Sequence, residues 1–147
     1  MTSAQRTSPP STPPVIATVR LRPPPRERLA APVQVIDFAE TSARLRAEQH
    51  CSASGHRQIA MVRHGPVSLI LYAFEKNGVL KQHRAAGVVT IQLLAGRIEI
   101  AAGGVIHDVK PGELVALEPS IPHAVRALAV SDVLLTVHRV AANEGGR

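Results

Sequence analysis

The chain has no tryptophan, one tyrosine and two phenylalanines among its 147 residues, so its interior must be assembled mainly from Val, Leu, Ile and Ala. The shortage of rings also removes the stacking platforms on which single-stranded nucleic acids are commonly held. Cys51 is the only cysteine, which excludes an intrachain disulfide and a thiolate-rich zinc site and fits a reducing, cytoplasmic setting. No apolar run approaches the ~20 residues of a membrane-spanning helix, and no signal-peptide core follows the N-terminus. Phosphate-binding glycine loops, nucleophile elbows, usefully spaced carboxylate pairs and a helix-turn-helix are missing as well.

What is present suits one compact domain, since 45% of the residues are apolar. The formal charge of +6 is concentrated at one end. Residues 1–32 carry five arginines against Glu27 and hold eight of the twelve prolines, in "SPPSTPP" and "RPPPRERLAAP". That composition predicts a disordered or locally polyproline II tail, and the prolines would break an amphipathic targeting helix. The rest of the chain is close to neutral, so no nucleic-acid partner is indicated for it.

After the tail, Asp37 stands three residues before Glu40, a capping-box start for a helix from about Phe38 to Gln49. Phe38, Ser42 and Leu45 share one face at helical spacing. "CSASG" reads as a loop, and from Gln58 the period becomes that of strands. Seven or eight short runs, separated by Gly65-Pro66, Asn77-Gly78, Gly103-Gly104 and similar turns, predict an all-β sandwich or barrel over residues 58–140. Residues 33–57 are the helix and loop packing on it, and 141–147 a flexible C-terminus.

The turns and histidines of this region resemble those of the cupin family, small antiparallel jelly-roll barrels. The family's first motif runs glycine, about five residues, His, one residue, His, three or four residues, Glu, six residues, Gly. In "HRAAGVVTIQLLAG", His83 takes the first histidine place and Gly96 the last glycine, but Ala85 and Val89 stand where the second histidine and the glutamate would be. The second motif runs from Gly112 to His123, with Pro119 one place late and Ala127 in place of an asparagine.

The resemblance implies a divalent metal held inside the barrel by three histidines and a glutamate, and this chain keeps His83 and His123 only. Zinc or iron ordinarily needs at least three protein donors, so two imidazoles alone make a weak site. If His83 faces inward, strand parity turns Ala85, Gly87, Val89, Ile91 and Leu93 inward with it, and Thr90 and Gln92 outward. The lost ligands thereby become apolar lining. The expected pocket is lined by His83, Ala85, Val89, Ile91, His123 and Val125. Its two histidines are either ligands of a weakly bound divalent metal completed by another donor, or neutral hydrogen-bonded pocket residues.

Elsewhere, His107 and His138 read as ordinary half-buried strand residues, and His50, His56 and His64 as surface residues. Glu118 reads as a solvated turn carboxylate, and Arg57 and Arg63 as solvated charges flanking a strand. Three functions fit. One is a small-molecule-binding or sensing barrel with a degraded metal site. A second is a metal-dependent oxygenase or isomerase using His83, His123 and a further ligand, and the third is an interaction protein whose tail recruits a partner. The resemblance also implies a homodimer, because an exposed sheet edge needs covering.

Overall fold

The computed structural model describes residues 29, 31–49 and 52–140. The basic tail expected over residues 1–32 lies almost wholly outside the described residues, as do His50, Cys51 and the C-terminal stretch 141–147. One helix, α1 (Phe38–Ala47), precedes nine strands: β1 (His56–His64), β2 (Val67–Phe74), β3 (Val79–His83), β4 (Gly87–Ala95), β5 (Ile98–Ala102), β6 (Val105–Val109), β7 (Leu114–Leu117), β8 (His123–Ala127) and β9 (Ser131–Arg139). Among the described residues no helix is long and apolar enough to cross a membrane.

All strand pairs are antiparallel, and they form a five-stranded sheet in the order β1-β2-β9-β4-β7 and a four-stranded sheet in the order β3-β8-β5-β6. The fold is an all-β jelly roll, as the sequence indicates, but hydrogen bonding does not close the two sheets into the expected barrel. The connections carry the chain from one layer to the other and leave the edge strands of each sheet unpaired with the other sheet. At Gly103-Gly104, φ values of 60° and 77° make the tight hairpin between β5 and β6. Gly96 needs its glycine for two reasons: its φ is 93°, and an added Cβ would lie 2.3 Å from both the Ser131 hydroxyl and the Val130 carbonyl.

Alternation along β4 produces the main core. Val89, Ile91 and Leu93 are buried facing the four-stranded sheet, where Ile98, Ile100, Val125 and Ala127 meet them, while Thr90 and Gln92 face away half-exposed. This is the parity expected from sequence. The opposite face of the five-stranded sheet has its own smaller cluster, Ile59, Leu71 and Ala73, covered by Leu45 and Phe38 of α1. Asp37 caps α1 by accepting from the Glu40 amide at 2.9 Å. Only half the capping box forms, because the Glu40 carboxylate pairs with Arg44 one turn on. Arg46 ties the helix to β9 by donating to the Ser131 carbonyl beside its ion-pair partner Asp132.

Candidate functional site

His83 ends β3 and His123 opens β8, and the antiparallel register places them directly opposite each other. Their rings meet edge to face with centroids 4.2 Å apart. Each Nδ1 lies 2.9 Å from the backbone carbonyl two residues earlier, Lys81 for His83 and Ile121 for His123. A carbonyl can only accept, so both Nδ1 atoms carry the proton and both Nε2 atoms present a lone pair. The local turn of chain at each strand end thus fixes the tautomer of the ring that follows it.

The two histidines differ in environment. His83 is half-buried, whereas His123 is 1% exposed and its Nε2 is buried with no hydrogen-bond partner. Burial, aided by the neighbouring His83, pushes the His123 imidazole below its usual range, and the bond to the Ile121 carbonyl only partly opposes this. His123 is therefore neutral at pH 7. A buried acceptor left unpaired in an apolar wall is costly, which makes this atom the most unusual polar feature of the interior.

The remaining residues of the expected pocket approach from the other layer. The chain leaves the four-stranded sheet after His83, passes through residues 84–86 and enters the five-stranded sheet at Gly87. The expectation of one strand running from His83 to Leu93 is corrected here: the first cupin motif is divided between two facing sheets. Ala85 sits in the crossing, half-buried against the core, and its carbonyl accepts from the Ser120 amide at 2.8 Å. That bond links the 84–86 crossing to the turn that delivers His123. Val89 is 2% exposed between Leu117 and Val137, and Ile91 and Val125 belong to the same buried cluster.

Among the described residues no group of three or more His, Cys, Asp or Glu side chains converges as a metal site. The donor set at His83 and His123 is two imidazoles in the correct tautomer, which falls short of the divalent metal that the resemblance implied. Glu118 is exposed in the turn before His123, and Arg63 and His64 are exposed at the end of β1.

Other expectations need correction. His107 and His138 are exposed rather than half-buried, because β6 is an edge strand and His138 is near the end of β9. His56 is a half-buried strand residue rather than a surface one, with its ring 5.5 Å from Tyr72 and 5.4 Å from Phe74 and its Nδ1 3.1 Å from the Val79 carbonyl. Arg57 is not solvated: it pairs with Glu75 at 2.8 Å and donates to the Glu48 carbonyl. Sequence reasoning missed the carbonyls of Lys81 and Ile121 that set the site's tautomers, since backbone acceptors leave no trace in side-chain identity.

Two facing antiparallel sheets with paired histidines at one end define the class of double-sheet jelly rolls. Within it, the chain has the cupin fold. A conserved protein of unknown function from Streptococcus pyogenes superposes with a TM-score of 0.60 at 20% identity, over 74% of this chain and 90% of that one. A cupin superfamily protein from Desulfitobacterium hafniense gives 0.61 at 12% identity, over 77% and 96%. Salicylate 1,2-dioxygenase from Pseudoaminobacter salicylatoxidans, in adducts with gentisate, gives 0.59 at 12% identity, over 69% of this chain and 31% of that one. By sequence, no family model and no curated protein matches the chain.

Proposed function

We propose that this chain is a small-molecule-binding or sensing cupin-fold protein of the cytoplasm, in which His83 and His123 form the polar end of a site otherwise lined by Ala85, Val89, Ile91 and Val125. The observation that carries this reading is the buried, unpartnered Nε2 of His123 beside His83. Two neutral imidazoles whose Nδ1 protons are already engaged offer acceptors only. They favour a ligand that donates an O–H or N–H into an apolar surround, and they offer nothing to a carboxylate or phosphate.

A metal-dependent oxygenase or isomerase is the second reading, favoured by one specific feature: an Nδ1-protonated histidine held by a backbone carbonyl is also how imidazoles are oriented toward a metal. It requires a further ligand beyond these two. Elemental analysis of purified, untagged protein, with 15N NMR of the imidazoles, separates the two. Substoichiometric metal, with ring resonances that respond to phenol and not to benzoate, supports the binding protein. Near-stoichiometric metal with both Nε2 atoms perturbed overturns it in favour of the enzyme.

A further inference from the structure

We propose that the outer face of the four-stranded sheet binds a second copy of this chain, face to face about a two-fold axis parallel to the strands. α1 covers the outer face of the five-stranded sheet, but among the described residues nothing covers the corresponding face of the four-stranded one. That face carries a groove of about 300 Å³ lined by Val79, Leu80, Lys81, Ala101 and Ala124, with Ile106 at its far side 68% exposed. A bare isoleucine beside an apolar groove on an edge strand is a surface that calls for a partner.

The occupant follows from the order of residues across the sheet. Arg126 on β8, Glu99 on β5 and Asp108 on β6 lie in one cross-strand row, and Ala124, Ala101 and Ile106 lie in another. A two-fold axis parallel to the strands, between β8 and β5, maps each row onto itself reversed. Arg126 of one copy then meets Glu99 of the other, and Glu99 meets Arg126. Ala124 faces Ala101, whose small side chains let the sheets approach, and Ile106 is carried over the β3 side of the partner's groove. The face is self-complementary in charge, size and shape, as an isologous interface requires.

The charges involved are free to engage. Asp108 is already paired with Arg97 within the chain, whereas among the described residues neither Glu99 nor Arg126 forms an ion pair. Four strands spaced ~4.8 Å apart and about five residues long at ~3.4 Å each give a footprint of roughly 19 by 17 Å. That is small for an obligate dimer and suits a reversible one, weakened by salt because its ion pairs lie close to solvent.

Sedimentation velocity on the full chain from about 1 to about 100 µM brackets the micromolar affinity expected of such an interface. The wild type should show a monomer–dimer equilibrium that shifts toward monomer at high salt. Glu99→Arg and Arg126→Glu should each reduce self-association at least about tenfold, because each sets like charges against each other twice. An equimolar mixture of the two variants should dimerise again, since one copy then offers two cations and the other two anions. Circular dichroism establishes that both variants are folded. A wild type that stays monomeric, single variants that dimerise like wild type, or a mixture that does not recover would each overturn the proposal. A chain that dimerises only after residues 1–28 are removed would overturn it too, assigning the face to that segment in the full chain.

Discussion

Replacing His123 with leucine tests whether its unpaired ring nitrogen is a burden carried by the fold. The two side chains are close in volume, so the substitution leaves little cavity. It removes a buried acceptor with no partner, a gain of ~1–3 kcal/mol, and it loses the hydrogen bond to the Ile121 carbonyl, a cost of ~0.5–1.5 kcal/mol. The balance favours the variant by about 1 kcal/mol at pH 8, or about 4 °C in Tm for a domain of this size. Acid should widen the gap. Because the folded His123 pKa lies below the unfolded value of 6.5, the unfolded chain takes up the proton first. This group leaves stability unchanged above pH 6.5 and lowers it progressively as pH falls from 6.5 through the folded pKa. Urea denaturation of both proteins at pH 8, 6.5 and 5 supplies the comparison, and subtracting the two curves removes every other titrating group. A variant clearly less stable at pH 8, or a difference that stays constant down to pH 5, would refute the reasoning. A stabilised variant that loses the response to phenol would show a polar residue retained for binding at a cost in stability.

Gly96→Ala should cost about 2–5 kcal/mol, from its positive φ and from a Cβ placed 2.3 Å from Ser131 and Val130; thermal melting within 2 °C of wild type, on the scale of roughly 4 °C per kcal/mol, would contradict the close approach. Ala85→His with Val89→Glu restores the missing ligand places and buries a carboxylate where Val89 is 2% exposed, so the metal-free variant should melt lower. Added zinc, nickel or manganese should then raise its Tm sharply while wild type responds little, and a folded variant with no gain in metal affinity by calorimetry would break the motif alignment. Leu45→Ala removes the side chain by which α1 covers Ile59 and Leu71 and should cost ~2–5 kcal/mol in denaturant melts, with faster amide exchange in α1; exchange no faster than wild type would mean that the helix docks through its ion pairs instead.

The strand rhythm and turn chemistry were legible because alternation and glycine placement act locally. Val89, Ile91 and Leu93 alternate with Thr90 and Gln92 as a half-buried strand must, and Gly103-Gly104 announces its hairpin. Two strands escaped that reading. "VLKQH" is too short and too polar to stand out, although it forms β3, and the run from His123 to Val140 contains no glycine or proline, although it divides into β8 and β9. The break is made by Ser131, whose hydroxyl bonds the carbonyls of Ala129 and Arg97, the second of them 34 positions away. The histidine pair was legible as two positions in a motif. Its chemistry was not, because the tautomers depend on carbonyls at Lys81 and Ile121 and the burial of His123 depends on a sheet from elsewhere in the chain.

The chain carries one built-in optical reporter. Tyr72 is its only tyrosine and there is no tryptophan to outshine it, so all near-ultraviolet emission from the polypeptide comes from a ring that is 7% exposed and stacked 5.8 Å from Phe74. Burial raises its phenol above 10.0, so in alkali the unfolded chain gives up that proton before the folded one. Stability held by the neutral phenol drains as pH climbs past that value, and the absorbance of tyrosinate should appear together with loss of structure rather than ahead of it. The His56 ring lies 5.5 Å away, near enough for its protonation to dim the same signal. A label-free fluorescence trace of this protein is therefore a record of how tightly β1 and β2 hold together.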